Sequence, residues 1–166
     1  GRRVGPYNPE DSFMSELSTV EEILDFAIGE EEGAAAFYRT MAGKVDKAWM
    51  KQVFEGFAKE EDGHKAKLLS IKEGKQFMSS KDKVADLKIG DYLVEVDTSD
   101  AGALDYQQAL VIAMKKEKAA FRLYSDLASK TDDAGLKETM LGLAQEEAKH
   151  KLRFEVEYDE FVLTEN

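Results

Sequence analysis

Ala58-Lys59-Glu60-Glu61-Asp62-Gly63-His64 recurs 86 positions later as Ala144-Gln145-Glu146-Glu147-Ala148-Lys149-His150. His64 and His150 are the only two histidines of the 166 residues, and each follows a glutamate by three positions. The same step carries Glu31 onto Glu117. Extended outward without gaps, residues 24–70 and 110–156 share 16 identities in 47 positions, among them Leu24/Leu110, Ala27/Ala113, Ala34/Ala120, Tyr38/Tyr124, Gly56/Gly142 and Glu60/Glu146. Unrelated helices of similar composition match less often and would not bring four glutamates and two histidines into one register. The chain therefore reads as a duplicated half.

Each half reads as two helices. Ser18 with Glu21, or Thr19 with Glu22, has the spacing of a capping box, and Ile23, Phe26, Ala27, Ala34, Phe37, Tyr38 and Met41 follow at three- and four-residue steps. The first helix should end near Gly43. A second, over about residues 47–73, carries Trp49, Met50, Val53, Phe54, Phe57, Ala58, Glu61, His64, Leu68 and Ile71 on its inner side. Residues 75–102 break the rhythm: Leu87–Val96 has extended or short-turn character and could pair with a second copy, and Thr98-Ser99-Asp100 is a helix-entry cluster. A third helix is expected over about 103–129 and a fourth over 134–161, the latter capped by Asp132 or Asp133. Short loops make antiparallel hairpins. A connection of nearly thirty residues can return along the bundle and let the two hairpins pack in parallel register. The expected fold is all-α: a four-helix bundle with one long crossover between helices 2 and 3, built from duplicated helical hairpins.

The expected organisation is a flexible arm over residues 1–17 and the bundle over 18–166. Gly1–Phe13 hold both prolines, and Met14-Ser15-Glu16-Leu17 reads as a native start preceded by added residues. With 43% apolar and 34% charged residues the chain can bury one substantial core. No apolar run reaches a membrane span and no leader is visible, so a cytoplasmic location is expected. The absence of Cys excludes disulfides and thiolate-held metals within these residues. A net charge of −11 argues against nucleic acid and anionic membranes as partners.

Residues three apart share a helix face, so Glu61 with His64 can reach one metal ion and Glu147 with His150 another, with Glu31 and Glu117 completing the set from neighbouring helices. Four carboxylates pointed into a core of Leu, Ala and Tyr repel one another and lose hydration unless they protonate or bind cations. Two divalent ions would neutralise them. Carboxylate and imidazole without thiolate suit Fe, Mn or Zn, and a paired site suits iron best. By analogy with how such bundles are built, Glu31, Glu61 and His64 would hold one ion and Glu117, Glu147 and His150 the other, bridged by Glu61 and Glu147. Tyr38 and Tyr124, seven residues beyond Glu31 and Glu117, are the candidate catalytic side chains, as ligand-bonding groups or electron carriers. The simpler reading makes them core tyrosines satisfied on a buried carboxylate. Glu30 and Glu32 read as solvated, and Lys115, Lys116 and Lys118 as an exposed face.

These strings, with Ala27-Ile28-Gly29-Glu30-Glu31 and Ala113-Met114-Lys115-Lys116-Glu117, resemble the ferritin-like superfamily and, within it, the rubrerythrin family, over about Ser18–Tyr158. The resemblance implies a non-haem di-iron centre that reacts with hydrogen peroxide or oxygen, and a role in oxidative stress. Rubrerythrins commonly end in a small domain holding iron on four cysteines. Without Cys, electrons would come from a separate donor protein such as a rubredoxin. They also carry an extra Glu one turn after the third-helix ligand, where this chain has Ala120. That departure gives weight to ferroxidase or oxidase chemistry, and so to a ferroxidase or iron-storage protein of ferritin type; a structural bundle without redox activity is a third reading. A homodimer or higher homo-oligomer is expected.

Overall fold

The computed structural model describes residues 17–74, 83–88, 92 and 105–165. Helix α1 spans Val20–Lys44, α2 Ala48–Gly74, α3 Tyr106–Lys130 and α4 Ala134–Glu165. Two short strands, β1 Leu17–Thr19 and β2 Lys83–Lys88, pair antiparallel with an irregularity between Leu17 and Ser18, a feature the helical periodicity did not foretell. Residues 1–16 of the expected 1–17 arm, Thr98-Ser99-Asp100 and most of Leu87–Val96 lie outside the described residues, while Leu17 opens β1.

The helix starts are chemically specified. Thr19 Oγ1 accepts from Glu22 N–H at 3.2 Å while the Glu22 carboxylate accepts from Thr19 N–H at 3.2 Å, which selects Thr19 over Ser18 as the cap. Helix α3 begins at Tyr106 rather than near Ala103 because Asp105 and Gln108 form a second reciprocal box, at 2.7 and 3.0 Å. Asp133 Oδ1 accepts from Leu136 N–H at 2.8 Å and starts α4. Helix α4 runs one turn beyond the expected Phe161.

Helices α1 with α2 and α3 with α4 form the two expected hairpins. Their cores fall into two clusters. One joins Ile23 and Leu24 of early α1 to Leu68 of late α2, Leu127 of late α3 and Met140 of early α4. The other joins Tyr38 and Met41 of late α1 to Phe54 of early α2, Leu110 of early α3 and Phe154 of late α4. Helices α2 and α3 therefore point the same way, and α1 runs opposite to α3. The hairpins face one another head to tail, not in parallel register. The long crossover is what lets α3 start at the end of the bundle opposite to where α2 stops.

Two positions differ in burial from the expectation. Trp49 is 44% exposed, its indole set edge-on against Tyr106 with centroids 5.6 Å apart. Met50 in the same turn is buried in the core, so Trp49 stands on the flank of the inner face, not on it. Lys116 is half-buried, its amine 5.5 Å from the Phe37 ring centre, so it departs from the exposed face expected of it and its neighbours.

Candidate metal centre

Between the two apolar clusters lies a polar layer. Glu31, Glu61, His64, Glu117, Glu147 and His150 are all buried, Glu147 completely. One ligand atom from each of Glu31, Glu61, His64 and Glu147 falls within a 4.8 Å group, and so does one from each of Glu61, Glu117, Glu147 and His150. Glu61 and Glu147 belong to both groups, the arrangement expected of residues shared between two ions.

Burial drives the electrostatics of this layer. It lifts the carboxyls of Glu61 and Glu147 well above the ordinary carboxylate range, and the charge of Glu117 beside them adds to the effect. Burial presses Glu117 upward too, but the close approach of Glu147 and His150, the His150 charge and the hydrogen bond from Tyr38 together outweigh it and lower this carboxyl. Burial would lower the His150 imidazole, and the facing Glu117 and Glu60 carboxylates instead raise it.

The tyrosines are placed by the head-to-tail packing. Tyr38 donates to Glu117 Oε1 at 2.6 Å and Tyr124 donates to Glu31 Oε1 at 2.5 Å, each reaching the carboxylate of the other half. Burial first, then the facing carboxylate, raises both phenols well above their ordinary range, so they remain donors. This geometry matches the simpler reading of Tyr38 and Tyr124 as buried tyrosines satisfied on carboxylates. Removing either hydroxyl by Tyr38→Phe or Tyr124→Phe should cost the metal-free protein about 1–3 kcal/mol in urea unfolding, since a buried carboxylate loses a donor. Metal stoichiometry should be unchanged.

The seven buried side-chain oxygens and nitrogens without a hydrogen-bond partner, among the described residues, all belong to these six: Glu31 Oε2, Glu61 Oε1, His64 Nδ1, Glu117 Oε2, both oxygens of Glu147 and His150 Nδ1. His64 Nδ1 approaches Glu147 Oε1 at 2.5 Å and His150 Nδ1 approaches Glu61 Oε1 at 3.0 Å, outside hydrogen-bonding geometry. Unsatisfied lone pairs converging on one buried layer are what bound cations would satisfy. The donor set of oxygens and imidazole nitrogens fits iron, manganese or zinc.

The layer opens differently on its two sides. Toward α1 and α3 it borders a cavity of about 20 Å³, lined by the four buried glutamates with Ala34, Ala120, Glu30, Lys116 and Tyr92. Ala34 and Ala120 leave this space because their side chains stop at Cβ. Glu30, expected in solvent, is half-buried here, and burial raises its carboxyl while burial lowers the Lys116 amine. Toward α2 and α4 the histidine rings, stacked at 5.5 Å between centres, edge an open groove of about 450 Å³. Glu60 and Glu146 stand on that groove, each against a histidine. Sequence reasoning aligned those two residues in the repeat but gave them no part.

The family model for rubrerythrin matches residues 22–158. A crystal structure from Thermotoga maritima, described as a ferritin-like diiron-carboxylate protein, superposes with a TM-score of 0.75 at 23% identity, covering 87% of this chain and 97% of that one. A hypothetical protein from Pyrococcus furiosus superposes with a TM-score of 0.64 at 27% identity over 84% of this chain and 87% of its own. No curated protein matches significantly. No helix among the described residues is long and apolar enough to cross a membrane.

Proposed function

Because the chain belongs to the rubrerythrin family, we propose that it is a di-iron oxidoreductase that reduces hydrogen peroxide or oxygen with electrons delivered from outside this bundle, by a donor such as a rubredoxin. The observation that carries the reading is that the seven orphaned buried atoms among the described residues all belong to Glu31, Glu61, His64, Glu117, Glu147 and His150. In this reading Glu31, Glu61 and His64 hold one ion, Glu117, Glu147 and His150 the other, and Glu61 and Glu147 serve both. Two iron ions bound there would supply the electron pair that splits an O–O bond and the Lewis acidity that stabilises the oxygen anion formed.

The chain's own residues do the rest. Tyr38 and Tyr124 hold Glu117 and Glu31 by one oxygen each, leaving the second oxygen of each free to face an ion. The cavity beside Ala34 and Ala120, about 20 Å³, has room for one or two water-sized groups, the size of peroxide or dioxygen. Its walls of Phe26, Leu123 and Tyr124 keep bulk water from the reacting bond. Reduction of one peroxide consumes two electrons and two protons and yields two waters.

The test is anaerobic reconstitution with Fe(II), then stopped-flow oxidation by one equivalent of peroxide or of oxygen. About two Fe per chain and oxidation at least roughly tenfold faster with peroxide are expected for a peroxidase. Faster reaction with oxygen, with continued uptake of Fe(II), would assign the protein to iron oxidation and storage. Bound iron that neither oxidant changes would leave a structural bundle.

A further inference from the structure

Helix α4 carries an apolar stripe on the side turned away from the metal layer. Four of the six exposed large apolar side chains among the described residues stand on it: Leu141, Leu152, Val156 and Leu163, with exposures of 51%, 60%, 42% and 78%. Leu141, Leu152 and Leu163 follow one another at steps of 11 residues. Such a step ends only about 20° past three full turns, so the three leucines lie almost on one line about 33 Å long. Ala148 and Val156 fill the same line between them, and Gln145 and Asp159 interrupt it. Isolated exposed leucines are ordinary on a protein surface. A row of them in register along one helix face marks an interaction surface.

The stripe is palindromic about Leu152. Ala148 and Val156 are each four residues from it, Gln145 and Asp159 each seven, Leu141 and Leu163 each eleven. A second α4 laid antiparallel, with a twofold axis at Leu152, therefore sets Leu152 on Leu152, Ala148 on Val156 and Leu141 on Leu163. The two polar interruptions meet one another in that register: the Gln145 amide donates its N–H groups and the Asp159 carboxylate accepts them. On one flank Lys151 pairs with Glu155 of its own helix, and the twofold brings this pair and its copy into one cluster of alternating charge. A row that repeats every 11 residues nearly keeps pace with the helix, so two such rows stay in contact with little supercoiling.

We propose that the outer face of α4 is the self-association surface of this protein: two copies pair antiparallel along the stripe from Leu141 to Leu163, about a twofold axis at Leu152. A second copy is the occupant because only self-pairing demands a symmetric spacing whose polar interruptions are complementary. The inference goes beyond the metal-centre reading and does not depend on it, since Glu147 and His150 enter the core from the other side of the helix. A strip about 33 Å long and about 10–12 Å wide covers roughly 350 Å² per copy. That is under half of the about 800 Å² per partner of a standard stable interface, so the dimer is reversible and half-formed at about 10–100 μM chain.

Sedimentation velocity of the full chain from about 1 μM to about 500 μM brackets that range. It should show conversion of the 18.6 kDa chain to a species of twice that mass. L152E sets two carboxylates against each other on the axis and should stay monomeric throughout. Q145D faces Asp159 of the second copy with a like charge and should weaken association by about tenfold or more, and Q145D/D159K should restore it. The two positions are about 21 Å apart within one helix, so restoration arises only between copies. Because the chain has no Cys, single cysteines read the register: L152C should cross-link to itself under mild oxidation, whereas L141C and L163C should cross-link only when mixed. A chain that stays monomeric at every concentration, its stripe bare or covered by residues of its own, would overturn the proposal. So would a dimer that survives L152E, which places the interface elsewhere, or L141C linked to itself, the mark of parallel pairing. Unchanged helical circular dichroism in every variant separates these results from unfolding.

Discussion

Saturating the metal-free protein with Co(II) or Mn(II) raises its Tm by about 10–20 °C, and the rise is larger at alkaline than at acid pH. Each ion that binds only the folded chain adds about 2.7 kcal/mol at a hundredfold excess over Kd, about 5 kcal/mol for two. A domain of this size gains about 2–4 °C per kcal/mol. The pH dependence follows from the carboxyls of Glu61 and Glu147, which burial holds well above the ordinary range in the metal-free fold. A raised carboxyl binds its proton more tightly folded than unfolded. Its stabilising contribution is complete below the unfolded value and is lost as pH rises through the folded one. The raised His150 acts in the same direction at higher pH, whereas the lowered Glu117 acts only below the ordinary carboxylate range. Metal-free protein therefore loses stability as pH rises above the ordinary carboxylate range, while metal binding, which must release the protons these groups hold, tightens over the same window. Calorimetry with and without ion at several pH values measures both curves. Equal shifts with Mg(II), or none with Co(II), would remove the case for a transition-metal centre.

Replacing Glu61 or Glu147 by Ala should abolish both ions, whereas Glu31→Ala or Glu117→Ala should abolish one. The difference arises because Glu61 and Glu147 contribute to both groups of converging atoms, while Glu31 and Glu117 each contribute to one. Elemental analysis after Fe(II) or Co(II) reconstitution should fall from about two ions per chain to well under one for the shared residues and to about one for the others. The metal-free Glu61→Gln and Glu147→Gln proteins should be as stable as the unmutated one, or more so by about 1–4 kcal/mol, since a buried acid is replaced by a neutral isostere. That stability arm separates loss of a ligand from loss of the fold. Two ions retained by both Glu61→Ala and Glu147→Ala would show that neither residue bridges.

Much of this architecture was legible along the chain. The four helices are recoverable from apolar steps of three and four, and their ends from capping chemistry, because both are local: Thr19 with Glu22, and Asp133 with Leu136, act within one turn. Asp105 with Gln108 carries the same signal, but in sequence the Thr98-Ser99-Asp100 cluster competes with it as a helix entry. Glu30 and Lys116 were misjudged for a different reason. Neighbours of a buried ligand on an acidic helix look solvated in sequence, and only the approach of α1 to α3 shows that both line a cavity. Trp49, read as a core or subunit contact, is exposed while Met50 beside it is buried, because a 100° step round the helix separates the flank of the inner face from its centre.

Sequence alone determined the duplication, the helical periods and the six residues that converge on the polar layer, because a repeated Glu-x-x-His on one helix face fixes the direction in which those side chains point. Tertiary structure decided which residue serves which. Tyr38 meets Glu117 across 79 positions and Tyr124 meets Glu31 across 93, and His64 and His150 take Glu146 and Glu60 from the opposite hairpin. Nothing local selects these partners. They follow from two like halves packed head to tail, so that a side chain projecting from one half lands on the other half's carboxylate rather than its own, and each half is satisfied only in the presence of its repeat.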